Sequence, residues 1–195
     1  MKPVHVILAG GLSSRFGEPK AFALWKNKPL YQWCKQALGG EALILSRPEL
    51  TGRFKASGET AVLEDAEPFK GKGPLAGIYT AMSCEEGDIY TVLACDTPLI
   101  RKETVAALKQ LIGTGADAVV PVAGGRAQPL AAVYHKRVKQ TIYEQLCRDQ
   151  LKISDFLSQI CVEYVEAGEI GAKKDEFTNV NKKSDLERIE PFRFE

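Results

Sequence analysis

Apolar runs rich in β-branched residues recur along this chain at 4–9, 42–46, 61–64, 89–94, 118–122, 130–134 and 161–165. Each has the length of a strand, and the first, Val4-His5-Val6-Ile7-Leu8-Ala9, is almost continuously apolar, as a strand covered on both faces should be. Between most of these runs the apolar positions change to helical spacing. Pro29 opens one such segment, where its missing N–H costs nothing, and Gly39-Gly40 stops it after Leu38. Pro74 opens a second. From Glu103 to Ile112, Val105, Ala106, Leu108, Leu111 and Ile112 fall on one side and Gly113 terminates the segment. This alternation predicts a doubly wound α/β fold, a mostly parallel central sheet with helices on both faces.

The link Ala123-Gly124-Gly125-Arg126-Ala127-Gln128-Pro129 is too short for a helical crossover, so the runs at 118–122 and 130–134 are expected to pair antiparallel or to form a local excursion. Near the end, Ser184-Asp185-Leu186-Glu187 has the form of a capping box, which predicts a last short helix after Asn179-Val180-Asn181. No repeat, low-complexity tract or interdomain linker interrupts the pattern, and a single domain over 1–195 is expected.

Composition narrows the class. The chain has 195 residues, 45% hydrophobic and 26% charged, with a formal net charge of +1. These are values of an ordinary globular protein, and they give no basic stripe for sequence-independent nucleic-acid binding. Any anion site must be local. Cys34, Cys84, Cys95, Cys147 and Cys161 are odd in number, scattered and without a neighbouring His cluster, which argues against a disulfide framework or a zinc site. The N-terminal segment lacks the apolar length of a signal peptide or membrane span, so a cytoplasmic location is expected.

The candidate chemistry begins where the first strand ends. Leu8-Ala9-Gly10-Gly11-Leu12-Ser13-Ser14-Arg15-Phe16-Gly17-Glu18-Pro19-Lys20 leaves the sheet through paired glycines and then supplies two separated cations. Glycines let backbone N–H groups approach an anion and allow positive φ, while Arg15 and Lys20 would neutralise a polyphosphate. Neither a Walker A ending nor a dinucleotide Gly-x-Gly-x-x-Gly is present. The run at 89–94 ends in Cys95-Asp96-Thr97-Pro98, which puts a carboxylate at the same sheet edge. One acid beside a phosphate cradle suits Mg²⁺, which takes one or two carboxylates and completes its shell with water and phosphate oxygens. The alternative is that Asp96 caps the following helix.

A second loop, Gly71-Lys72-Gly73-Pro74-Leu75-Ala76-Gly77, leads into a helix and either presents N–H groups to a nucleoside or simply allows a tight turn and close packing. Asp65 follows another strand near the same edge and either suits the amino and imino donors of guanine or is an ordinary surface-loop acid. His5 and His135 lack a partner for general-base work and are read as structural, Cys95 as a small buried hydrophobe, and Trp25 and Trp33 as core or loop anchors.

Taken together, these motifs resemble the molybdenum cofactor guanylyltransferase family, the MobA-like nucleotidyltransferases. The resemblance rests on Leu8-Ala9-Gly10-Gly11-x-Ser13-Ser14-Arg15-x-Gly17-x-x-Lys20-Ala21 with Pro29-Leu30 following, then Gly73-Pro74-Leu75-Ala76-Gly77, Cys95-Asp96-x-Pro98, Gln128-Pro129-Leu130 and Asn179-Val180-Asn181, in order over nearly the full length. Three positions depart from the family pattern: Phe16 for a usual methionine, Asn27 for a common glycine, and Lys182-Lys183 where Thr-Pro is frequent.

The resemblance implies a Rossmann-like nucleotidyltransferase fold and transfer of GMP from GTP onto the terminal phosphate of molybdopterin, giving a guanine dinucleotide cofactor and pyrophosphate. On that reading Gly10, Gly11, Arg15 and Lys20 bind the triphosphate, Leu8 and Ala9 are also substrate-binding, and Asp96 holds Mg²⁺. Arg15, Lys20 and Asp96 form the catalytic set. Asp65 and the backbone of Leu12 and Gly77 fix the nucleoside; Arg126, Gln128, Asn179 and Asn181 lie toward the pterin phosphate. A monomer is expected, with transient contact to other molybdenum cofactor biosynthesis proteins and no nucleic-acid or membrane partner. The competing readings are a nucleotidyltransferase using CTP or another phosphate acceptor, and a non-catalytic nucleotide- or molybdopterin-binding accessory protein.

Overall fold

A computed structural model describes residues 1–11, 16–113 and 115–189. Its strands are β1 (Pro3–Leu8), β2 (Leu24–Trp25), β3 (Lys28–Pro29), β4 (Leu43–Leu45), β5 (Val62–Leu63), β6 (Ile89–Ala94), β7 (Ala118–Ala123), β8 (Arg126–Ala127), β9 (Ala131–His135) and β10 (Val162–Glu166). The α-helices are α1 (Leu30–Ala37), α2 (Pro48–Ala56), α3 (Pro74–Cys84), α4 (Lys102–Leu111), α5 (Lys139–Cys147), α6 (Ile153–Leu157) and α7 (Lys183–Ile189).

The main sheet has the order β10-β7-β9-β6-β1-β4-β5, with β8 paired to the end of β7. β1 pairs parallel with both β4 and β6, β5 extends β4 in parallel, and β10 runs parallel to β7. β9 runs opposite to its neighbours β6 and β7. The short link at 123–129 therefore returns the chain antiparallel through the β7–β8 pairing, as its length requires.

Period-two alternation on the strands sorts side chains between two helical layers. Val4, Val6, Tyr90, Val92, Ala132 and Tyr134 join a core with Leu75, Ile78, Ile142 and Leu146 from α3 and α5. Ile7, Ile44 and Leu93 face the other way, toward Tyr31, Cys34, Phe54 and Val105 from α1, α2 and α4. The fold class is the one the alternation predicts. A small hairpin, β2 with β3, was not foreseen; it turns through Lys26 and Asn27 at φ 48 and 59, the left-handed conformation that asparagine tolerates at the family's glycine position. Phe16 is buried with Trp25, Leu30 and Leu99, so its departure from methionine is absorbed in packing. Trp25 is likewise a core residue, and Trp33 Nε1 donates to its backbone oxygen at 3.0 Å. Among the described residues no helix is long and apolar enough to cross a membrane.

Candidate functional site

β1, β4, β5 and β6 all run in one direction, so their carboxyl ends share one edge of the sheet. Beyond those ends come Gly10-Gly11, Arg47, Asp65 and Asp96. Residues far apart in sequence are thus gathered by strand topology.

The centre of this edge is a charged constellation. Lys20 belongs to a short 3₁₀ turn, Lys20–Phe22, whose Ala21 and Phe22 are buried and hold it against the sheet. Lys20 Nζ donates to Asp96 Oδ2 at 2.7 Å and to Asn181 Oδ1 at 3.1 Å. The two charged side chains are only 15% and 17% exposed, so their attraction is less screened than that of a surface pair. Asp96 does not cap a helix: α4 begins at Lys102 and has no side-chain cap.

Asn181 reaches this point because Val180 is an anchor. The Val180 N–H donates to the Asp96 carbonyl at 2.8 Å, and its side chain is fully buried beside Phe16, Trp25, Leu30 and Leu99. Asn179 and Asn181 stay exposed on either side of it. The capping box is corrected in detail. α7 starts at Lys183, so Ser184 already lies inside the helix, and Asp185 accepts from the N–H groups of Asn181 at 2.8 Å and Lys182 at 3.0 Å. Burial alone would raise the Asp185 carboxyl, but those two N–H groups and the charges of Lys182 and Arg188 hold it below its ordinary value.

Sequence reasoning missed a second brace. Buried Glu176 accepts from Arg101 N at 3.1 Å, Arg101 Nε at 2.7 Å, Thr104 Oγ1 at 2.5 Å and Lys173 N at 2.8 Å. It fastens the turn before Asn179 to the start of α4. A buried carboxylate needs such a set of donors, but nothing in the linear sequence distinguishes Glu176 from its acidic neighbours.

Among the described residues neither a positive φ nor a close contact requires the paired glycines, which leave the edge open in front of them. Positive φ, expected of the paired glycines, occurs at Gly17 (φ 80) and at neither Gly10 nor Gly11. Among the described residues a Cβ on Gly11 would meet nothing within 4 Å, and one on Gly10 only Arg47 Cγ at 3.9 Å. Leu8 is half-buried and Ala9 buried, with the Ala9 N–H donating to Leu45 O at 2.8 Å. Leu12 and Arg15 lie outside the described residues.

On the β5 side, Asp65 is half-buried and its Oδ2 accepts from Gly71 N at 3.1 Å. Burial raises its carboxyl above the ordinary range, and the Gly71 N–H and the Lys70 charge only partly oppose this. Gly77 is buried in α3, and a Cβ there would stand 2.8 Å from Leu8 Cδ2, 3.6 Å from Leu45 Cβ and 3.7 Å from Asp65 Oδ1. The close-packing role of Gly77 is therefore present, and it brings α3 against Leu8 and Asp65. On the far side, Arg126 is exposed on β8, and Gln128 Nε2 donates to its carbonyl at 3.1 Å. This hairpin stands at the carboxyl end of β7, with β9 between β7 and β6.

The two described thiols beside this edge are not nucleophiles. Burial, reinforced by the Asp96 charge, pushes the Cys34 thiol up to about 12 and Cys95 well above its usual value, so neither offers a thiolate. His5 lies toward the amino edge, with Nδ1 3.3 Å from Glu41 O and Nε2 3.4 Å from Lys109 Nζ. His135 ends β9 and accepts from Arg137 N, capping the short turn that follows.

For a metal, the described residues include no group of three or more His, Cys, Asp or Glu. A cation that demands an all-protein cage does not fit. The hard oxygens of Asp96 and Asn181, which converge on one ammonium, do fit Mg²⁺ that draws its remaining ligands from phosphates and water.

Comparison with known proteins agrees with this geometry. Residues 5–163 match the family described as the MobA-like NTP transferase domain. A Bacillus licheniformis protein named probable molybdenum cofactor guanylyltransferase is 67% identical over 192 residues, 98% of each chain. A Bacillus subtilis protein of the same name is 55% identical over 190 residues, covering 97% of this chain and 96% of its own. Molybdopterin-guanine dinucleotide biosynthesis protein A from Archaeoglobus fulgidus superposes with a TM-score of 0.81 at 24% identity, over 95% of this chain and 96% of that one. The fold is also that of CMP:2-keto-3-deoxy-manno-octonic acid synthetase in complex with CTP, at a TM-score of 0.71 and 20% identity over 97% of each chain. The family match covers well over half of the sequence, and the two Bacillus proteins align over nearly all of it: the chain belongs to the MobA-like NTP transferase family.

Proposed function

We propose that this protein transfers GMP from GTP to the terminal phosphate of molybdopterin, with release of pyrophosphate. The observation that carries the reading is the convergence of Lys20, Asp96 and Asn181 beside the exposed Gly10-Gly11 backbone. The names of the 67% and 55% identical relatives supply the guanylyl group and the molybdenum cofactor, and that of the Archaeoglobus fulgidus protein the molybdopterin. The shared fold of a CTP-bound synthetase means that the fold alone does not choose the base.

The reaction joins two anions, so its barrier is one of alignment and charge. An oxygen of the acceptor phosphate attacks the α-phosphorus in line and forms a new P–O bond; the bond from the α-phosphorus to the bridging oxygen breaks, and pyrophosphate leaves with the electron pair. The nucleophile is already ionised, which accounts for a site without a histidine base. Gly10 and Gly11 offer backbone donors to the triphosphate, and Lys20 carries a positive charge to its oxygens. Asp96 would hold Mg²⁺ with help from Asn181, and when bound the ion supplies charge neutralisation at the phosphates. Arg15, with Leu8, Ala9 and Leu12, completes the nucleotide side. Asp65 and Gly77 fix the nucleoside, while Arg126, Gln128 and Asn179 face the acceptor. A monomeric, cytoplasmic enzyme in transient contact with other cofactor-biosynthesis proteins fits this role.

Incubation with Mg²⁺, molybdopterin and each NTP in turn, followed by mass analysis, tests the proposal. The GMP adduct and pyrophosphate are expected with GTP. Preference for CTP would overturn the guanine assignment, and nucleotide binding without pyrophosphate release would favour an accessory role.

A further inference from the structure

Arg47 is the residue at which β4 gives way to α2, at the sheet edge that carries the glycine loop. It occupies the N-cap position of α2, yet its side chain makes no cap. The backbone alone serves the helix: Arg47 O accepts from Leu50 N, Thr51 N and Thr51 Oγ1. The side chain runs the other way, with Cγ 3.9 Å from the point that a Cβ on Gly10 would occupy. Its Nε is buried and has no hydrogen-bond acceptor. Among the described residues no carboxylate lies within 4 Å of the guanidinium; Glu64, which contacts Thr51 Oγ1, is paired with Lys70 instead.

A guanidinium stays charged at every accessible pH and presents five donors in a planar fork. Holding one of those donors out of water with no acceptor is costly, and an anion bound at this edge would supply the acceptor. Lys20 and Lys70, also described at this edge, are paired with Asp96 and Glu64. The Arg47 fork offers donors only, which suits a phosphate; the O6 and N7 acceptors of guanine are the alternative, and the guanosine arm of the experiment below separates the two. We propose that Arg47 binds a phosphate of the nucleotide, its stem passing beside Gly10. This inference rests on the nucleotidyl-transfer reading above.

Equilibrium binding of guanosine, GTP and inorganic tripolyphosphate to the wild-type chain and to Arg47→Gln and Arg47→Lys tests it, with melting temperature as the check on folding. A charge-assisted contact predicts GTP and tripolyphosphate binding about tenfold to a hundredfold weaker in Arg47→Gln. Guanosine binding should be unchanged, and Arg47→Lys should recover part of the loss because it keeps the charge without the fork. Unchanged tripolyphosphate affinity in Arg47→Gln, or an equal loss for guanosine, would overturn the assignment. Tripolyphosphate carries no base. A wild-type chain that binds it but not GTP would therefore overturn the guanine reading while leaving Arg47 tested on its own terms.

Discussion

Lys20 Nζ lies 2.7 Å from Asp96 Oδ2, across 76 residues of sequence and two different strand ends. Each neutralises the other when no phosphate is present, and in the proposed reaction they separate in task, the ammonium toward phosphate oxygens and the carboxylate toward Mg²⁺. Removing either should therefore cripple the chemistry without unfolding the chain. Lys20→Ala and Asp96→Ala are each expected to lower turnover by about a hundredfold to a thousandfold, the cost of deleting one preorganised charge from a transition-state site. The double variant should fall little further, because the two act as a unit. Pyrophosphate release and thermal melting check this, and near-normal turnover in either single variant would remove the pair from the catalytic set.

Metal dependence follows from the same carboxylate. Turnover is expected to stop on chelation and to return with Mg²⁺, and Asp96→Asn should need a much higher Mg²⁺ concentration because a neutral amide is a weaker ligand. A Mg²⁺ titration of both proteins gives the answer. An unchanged half-saturating concentration in Asp96→Asn would place the metal elsewhere.

Asp65 makes a prediction in pH. Burial raises its carboxyl above the ordinary aspartate range. Between the unfolded and folded values the folded chain keeps a proton that the unfolded chain has lost, so Asp65's contribution to stability falls as pH rises through that window. Nucleoside binding has the opposite sense, since amino and imino donors need the ionised carboxylate. Guanosine, which has no titrating phosphate, should therefore bind more weakly as pH falls through the raised value. Asp65→Asn should bind guanosine less well at neutral pH and lose that acid limb. A flat wild-type profile would argue against the nucleoside role.

Much of this edge is legible in the sequence because its parts sit at strand ends. Gly10, Asp65 and Asp96 each follow an apolar run, and parallel pairing of β1, β4, β5 and β6 brings such positions together whatever lies between them. What escapes is whatever depends on where a long side chain goes. Glu176 and Asp185 read as ordinary acids of the C-terminal segment, yet one is buried against Arg101 and Thr104 and the other holds the backbone at Asn181. Nothing in the linear sequence singles out Arg47, whose side chain leaves the helix start uncapped and turns to this edge. The glycine pair is readable as a motif, but the positive φ expected of it falls instead on Gly17.

Glu176 tests whether the C-terminal segment needs its brace. Glu176→Ala leaves Arg101 N, Thr104 Oγ1 and Lys173 N without their acceptor, and the loss is expected to be about 2–3 kcal/mol, the range for hydrogen bonds to a charged group. For a chain of this size that lowers the melting temperature by roughly 5–10 °C. Glu176→Gln keeps some of the acceptors and should fall between. A melting temperature within a degree of wild type would show that the segment is held by Val180 and Asp185 alone.

Gly77 separates packing from binding. An added methyl would come within 2.8 Å of Leu8 Cδ2, but that atom ends a rotatable side chain that is only half-buried, so it can move aside. Replacing a helical glycine by alanine also regains about 1 kcal/mol of helix propensity. The two effects nearly cancel, and Gly77→Ala should shift stability by no more than about 1 kcal/mol. Leu8 and Asp65 both border the displaced space, however, so guanosine affinity should drop even as the fold persists. In Gly77→Val the extra branch also meets Leu45 Cβ, a rigid atom 3.6 Å from the alanine position, and a loss of about 2–4 kcal/mol is expected. If Gly77→Ala melts normally and binds guanosine as wild type does, the glycine serves helix packing alone and Asp65 must be reached by the nucleoside from another side.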